Sequence, residues 1–110
     1  MYLFRSFRKP KLAHHYKIID ETIELRKLMG WTGHGGITNG MLNPSGMVSH
    51  YRRFDNLSDI DNHLSSAQSN PKVGEKITKM NKMCERYANM IFEVINPVTV
   101  SSTNLTLPTK

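Results

Sequence analysis

The chain has 110 residues, 38% of them hydrophobic, and a formal charge of +6 at pH 7; that length fits one domain with one core. No stretch approaches the roughly 18 to 20 apolar residues of a membrane span, and Arg5, Arg8 and Lys9 interrupt the N-terminal apolar residues where a secretory leader would run on. A single cysteine, Cys84, excludes an internal disulfide, so the expected location is the reducing cytoplasm.

Tyr2 to Arg8 alternates bulky and polar residues and meets Pro10, which predicts a first strand. Leu12, Tyr16, Ile19 and Ile23 then recur at helical spacing, widened by Ile18, Leu25 and Met29, and Gly30 supplies a left-handed cap. From Gly30 to Phe54 the chain reads as a hairpin of two antiparallel strands, turned at Asn43-Pro44-Ser45-Gly46, where Pro presets φ and Gly suits the fourth position. Counting from that turn pairs Leu42 with Met47, Asn39 with His50 and Ile37 with Arg52.

Ser58 with Asp61 approximates a capping box for a short helix buried through Ile60, Leu64 and Ala67 and ending near Asn70. Pro71 opens another helix, predicted to Arg86, with Val73, Ile77, Met80, Cys84 and Tyr87 on its apolar face. Its Lys72, Lys76, Lys79, Lys82 and Arg86 read as a solvated surface. Asn89 to Ile95 is dense in strand formers and closes at Asn96-Pro97. Residues 98–110 form a Ser/Thr-rich tail, expected to be disordered or to add an edge strand, through Val98-Thr99-Val100, to a partner.

This order, with its Gly-rich second strand, its Gly turn, a charged third strand leading into FDNLSDID at Phe54 to Asp61, the Pro71 helix start and the final ANMIFEVI at Ala88 to Ile95, resembles the dimeric α/β-barrel superfamily, and within it the NIPSNAP-like branch. The resemblance spans roughly Tyr2 to Pro97 and rests on element order and spacing. It implies an α+β fold, a ferredoxin-like βαββαβ unit with a four-stranded antiparallel sheet, helices on one face and the second crossover split into two helices. It also implies one domain over residues 1–97 and a homodimer whose second sheet covers the other face. Members of the superfamily include cofactor-free oxygenases, haem-degrading enzymes, isomerases and proteins with no assigned activity, so fold alone leaves enzyme and non-enzyme both open. No catalytic residue is carried over from it.

Strand alternation sorts the residues between two faces. One set, expected to lie under the helices, holds Tyr2, Phe4, Ser6, Thr38, Ser49, Tyr51, Met90 and Phe92. The other, expected to line the barrel between protomers, mixes Leu3, Phe7, Ile37, Val48 and Ile91 with Arg5, Asn39, His50, Arg52 and Glu93. An apolar cavity with a few convergent polar groups suits a small, partly apolar, anionic organic molecule. Within it His50 is the candidate base, Arg5 or Arg52 the anion holder and Glu93 the group orienting the imidazole, which allows cofactor-independent oxygenase or isomerase chemistry. Trp31 and His34 are candidate rim residues. The competing reading makes Arg5, Arg52 and Glu93 an ion-pair network, with His50 bonded to Asn39, inside a non-enzymatic structural or protein-interaction dimer.

His14 and His15 point in different directions on a helix, and one cysteine gives no thiolate cluster, so no metal site or cofactor is expected. Gly33-His34-Gly35-Gly36 opens no helix and lacks the Lys-Ser/Thr of a phosphate loop. An RNA-recognition module shares the element order and suits a basic chain. The run from Gly46 to Tyr51, however, offers one aromatic where base stacking needs several, so nucleic acid is not the expected partner.

Overall fold

A computed structural model describes residues 1–40 and 46–95. The elements follow the order β1 (Tyr2–Pro10), α1 (His15–Leu28), β2 (Gly36–Asn39), β3 (Val48–Phe54), α2 (Leu57–Gln68), α3 (Pro71–Lys82) and β4 (Cys84–Glu93). The strands form one antiparallel sheet in the order β2-β3-β1-β4, with three helices against one face. This is the ferredoxin-like arrangement expected. The turn at residues 43–45, the Asn96-Pro97 stop and the tail lie outside the described residues.

Two local devices fix the first crossover. Gly30 takes φ +70°, its N–H donates to the Lys27 carbonyl, and the Trp31 N–H donates to the Arg26 carbonyl at 2.8 Å. That pair of bonds is a Schellman cap, and it turns Trp31 back under the helix. Gly35 has φ +122°, and a Cβ there would meet the Tyr51 carbonyl oxygen at 2.0 Å, so only glycine lets the chain enter β2 so close to β3.

The buried side of α1 is Ile18, Thr22, Leu25 and Arg26, whereas Leu12 is 96% exposed and Tyr16 70% exposed. The predicted stripe of Leu12, Tyr16, Ile19 and Ile23 is therefore rotated. Thr22 is tolerated inside because its hydroxyl donates to the Ile18 carbonyl at 2.6 Å. Helix α2 starts one position before Ser58. Asn56 occupies the cap position, with its amide 3.3 Å from Asp59, and the Ser58/Asp61 pair has no capping role. Asn70 caps α3 by accepting from the Lys72 N–H at 3.0 Å, and Pro71 sits at the first turn as expected.

Helix α3 stops at Lys82, four residues short of the prediction, and β4 begins at Cys84. The competitor that wins is β1, whose ladder with β4 runs from Tyr2↔Glu93 to Pro10↔Cys84, shifting register between Lys9 and Pro10. A proline at the interrupted end of a ladder loses no sheet bond it could have made. On the outer side of α3, Lys76 and Lys79 reach Glu21 of α1 at 2.6 and 2.9 Å. Two of its four basic side chains are thus paired with a carboxylate of α1.

The core has two clusters. One joins Ile18, Leu25, Val48, Val73, Met80 and Cys84; the other joins Phe4, Trp31, Phe54 and Ile60. Trp31, at 1% exposure, meets Phe4 and Phe54 edge to face, with centroids 5.6 and 6.0 Å away.

Candidate functional site

Residues directly opposite in an antiparallel ladder share a face. Ser6 lies opposite His50 on one side and Asn89 on the other; Phe4 lies opposite Arg52 and Ile91, and Arg8 opposite Val48 and Tyr87. Across β2 and β3, Ile37 is opposite His50 and Asn39 opposite Val48. The expected face assignment therefore holds for β1 alone. Tyr2, Phe4 and Ser6 lie under the helices, but they share that side with Ile37, Asn39, Val48, His50, Arg52, Ile91 and Glu93. Thr38, Ser49, Tyr51, Met90 and Phe92 lie with Leu3, Arg5 and Phe7 on the open face.

The period of each strand was correct; the phase of β1 against its neighbours was not. Both sets on β3 mix apolar and polar residues, so hydrophobicity alone does not fix that phase. The hairpin register also differs by two residues: Ile37 opposes His50 where Arg52 was expected, Asn39 opposes Val48 where His50 was expected, and the ladder closes with the Gly40 N–H on the Met47 carbonyl, while the expected Leu42 pairing lies outside the described residues. A slip of two keeps every residue on its face.

Under the helices, between the two core clusters, lies a cavity of about 380 Å3. Its roof is mostly apolar: Leu25 from α1 and Met29 at its C-cap, Leu64 and Ala67 from α2, Val73 and Ile77 from α3, with Gln68 of α2 the polar exception. Its floor is the polar row that the ladders build, His50, Ser6 and Asn89 across three strands, with Arg8 and Tyr87 one step along and Asn81 descending from α3. Tyr87 and Asn89 are exposed, which puts the mouth beside β4.

Arg8 is buried, at 6% exposure. Its Nε donates to Asn81 Oδ1 at 3.2 Å and its Nη1 to Ser6 Oγ at 3.1 Å. Burial lowers the pKa of this guanidinium, an effect that the nearby Cys84 and Tyr87 partly oppose. Arg26 lies behind the floor, donating from Nη1 to the Tyr51 carbonyl (2.9 Å) and His50 Nδ1 (3.2 Å) and from Nη2 to the Trp31 carbonyl (3.1 Å). Neither arginine has a carboxylate partner among the described residues.

An arginine can only donate, so His50 Nδ1 accepts and the ring proton sits on Nε2. Burial, then the charges of Arg8 and Arg26, push the His50 pKa down to about 3. The imidazole is thus neutral near pH 7 and a poor proton acceptor there. The polar group it can offer the cavity is an N–H.

Of the seven residues singled out from the sequence, His50 alone lines this cavity. Arg5 is on the open face, bonded to Ser49 Oγ at 3.2 Å and Thr38 Oγ1 at 3.1 Å and stacked near Phe7 and Tyr51. Asn39 binds His15 Nε2 at 2.5 Å and does not meet His50. Arg52 donates to Nδ1 of His63 on α2 and lies 4.8 Å from the Phe54 ring centroid. Glu93 is exposed at the far end of β4. Among the described residues, no salt bridge contains Arg5, Arg52 or Glu93, so the expected ion-pair network does not form. Trp31 packs in the core and does not line a rim, while His34 offers its carbonyl to Arg26 at 3.5 Å.

The residues that the sequence reading missed are Arg8, Ser6, Asn81, Tyr87 and Asn89. Extending the alternation of β1 by one step would have placed Arg8 beside Phe4 on the helix side. Asn81 and the β4 pair carry no comparable signal, since Tyr87 fits an α3 stripe equally well. Among the described residues no group of three His, Cys, Asp or Glu side chains converges as a metal site would, and no helix is long and apolar enough to cross a membrane.

No family profile matches the sequence, and no curated protein matches it. Solved structures do. A NIPSNAP family protein of unknown function from Agrobacterium tumefaciens superposes with a TM-score of 0.68 at 21% identity, over 92% of this chain and 91% of that one. An uncharacterised NIPSNAP domain protein from Burkholderia xenovorans gives 0.71 at 8% identity, over 92% and 98%. A candidate antibiotic biosynthesis monooxygenase from Deinococcus radiodurans gives 0.67 at 12% identity, over 92% and 99%. The chain is NIPSNAP-like in fold, with the same ferredoxin-like architecture as the antibiotic biosynthesis monooxygenase structures.

Proposed function

We propose that this protein is a homodimer that binds a small, partly apolar organic molecule in the cavity between sheet and helices of each protomer. The observation that carries the reading is the division of that cavity into an apolar roof and a polar floor. About 380 Å3 lies at the small end of ligand pockets, which run from roughly 300 to 1,000 Å3 and pair apolar walls with a few placed polar groups. On this reading the ligand lies inside each protomer and not in the space between protomers.

The open face of the sheet serves association. Met90 and Phe92 are 49% and 41% exposed there, beside Leu3 and Phe7, and a second sheet would cover them. If the bound molecule is transformed, the chemistry is a cofactor-independent oxygenation or isomerisation in which His50 acts as a neutral donor to a developing negative charge, since its pKa disqualifies it as base. One buried cysteine suits a cytoplasmic setting.

Ligand-observed NMR with a panel of small aromatic and alicyclic molecules tests the binding reading, using Ala67→Phe to fill the cavity from its roof. Binding that disappears in a folded Ala67→Phe protein supports it. Binding of wild-type strength in that variant would place the ligand elsewhere.

A further inference from the structure

We infer that the ligand of this cavity is an organic monocarboxylate whose head group is held by Arg8, a step that rests on the binding reading above and adds the charge class to it. Arg8 brings a full positive charge to the cavity wall at 6% exposure. Its two protein partners, Asn81 Oδ1 and Ser6 Oγ, are both neutral, and Nη2 has no protein partner among the described residues. A buried guanidinium is normally paired, because removing a charge from water costs several kcal/mol unless an opposite charge compensates. Arg26 shows that neutral acceptors can hold a buried guanidinium in this fold; Arg8 differs in lining the cavity, where an anionic ligand would supply the compensating charge.

The neighbours reinforce that sign. Arg26 lies behind His50 with carbonyl and imidazole acceptors only, so it adds a second positive charge to the field at the floor. His50, held as an acceptor toward Arg26, keeps its own proton on Nε2 as a donor. Among the described residues no Asp or Glu lines the cavity. A planar carboxylate matches the fork of a guanidinium better than a neutral amide or hydroxyl does, and one directly placed arginine matches one negative charge. The apolar roof from Leu25 to Ile77 leaves the rest of the molecule hydrocarbon or aromatic.

The test compares 2-naphthoate with its neutral isostere 2-naphthamide, titrated calorimetrically into wild-type protein, Arg8→Gln and Arg52→Gln. Arg52 shares the face but does not line the cavity, so its variant is the control. The expected result is naphthoate binding at least about tenfold more tightly than the amide in wild type and Arg52→Gln, with the preference lost in Arg8→Gln. Amide binding as tight as naphthoate in wild type would overturn the charge assignment while leaving the cavity reading intact, and it decides the matter even if Arg8→Gln fails to fold. If naphthoate keeps its advantage in a folded Arg8→Gln protein, the charge is read by another group and the assignment to Arg8 fails. Absence of binding by this pair and by the wider neutral and anionic panel would remove the cavity reading itself.

Discussion

The two faces of the sheet carry arginines in opposite settings. On the open face Arg5 lies among Ser49, Thr38, Phe7 and Tyr51, partly wet, with water available to share its charge. On the helix face Arg8 and Arg26 are buried among neutral acceptors and a neutral imidazole. An exposed guanidinium with hydroxyl partners needs no counter-ion. A buried one that lines a cavity, as Arg8 does, favours an anion in the space beside it. The contrast separates a surface suited to a second sheet from an interior suited to an anionic ligand.

The largest expected effect tests whether the helix side is a packed core around the cavity. Trp31→Ala removes the ring that Phe4 and Phe54 both pack against and should cost about 3 to 5 kcal/mol in denaturant unfolding. A loss below about 1 kcal/mol would return Trp31 to the rim role read from the sequence. Next comes Arg26→Met, which strands the Trp31 and Tyr51 carbonyls and His50 Nδ1 and should cost about 2 to 4 kcal/mol. A neutral outcome would mean that water satisfies those acceptors and that the floor is wetter than its burial implies.

The third prediction is a pH dependence. His50 stays near 3 in the folded protein, against about 6.5 in an unfolded chain. Above pH 6.5 both states are neutral and the difference contributes nothing. As the pH falls through that value the unfolded chain takes up a proton that the folded one refuses, so stability drops toward pH 3 by up to about 1.4 kcal/mol per unit. His50→Gln keeps an acceptor for Arg26 and should flatten the decline relative to wild type, read from urea melts between pH 7 and 4. Identical acid profiles would place the imidazole in water.

The open face predicts a separate behaviour. Phe92→Glu should leave folding intact and convert the proposed dimer to a monomer by light scattering, and a wild-type monomer would contradict the association role. The smallest effect is at Gly74, in the exposed side of α3 at the cavity wall, where an added Cβ meets nothing within 4 Å. Gly74→Ala should stabilise by about 0.5 to 1 kcal/mol through helix propensity alone.

Element order and several boundaries were legible because they depend on local chemistry: Gly30 at a cap, Pro71 at a first turn, alternation in β1. What could not be read was phase. Helix α1 has Ile18, Ile19 and Ile23 on more than one side, so spacing alone could not choose the face that contains Thr22 and Arg26. Those two are buried because each finds its acceptors only after the Schellman cap and β3 are in place. The phase of β1 against β3 failed for the same reason. His50 and Arg52 looked too polar for the helix side until Arg26 and His63 supplied their partners.

A crystal of the protein soaked with 2-naphthoate puts the two faces in direct competition. The account predicts the carboxylate against Arg8, with the rings under Leu25, Leu64 and Ile77. A carboxylate seated instead beside Arg5 on the open face, with the helix-side cavity unfilled, would contradict it.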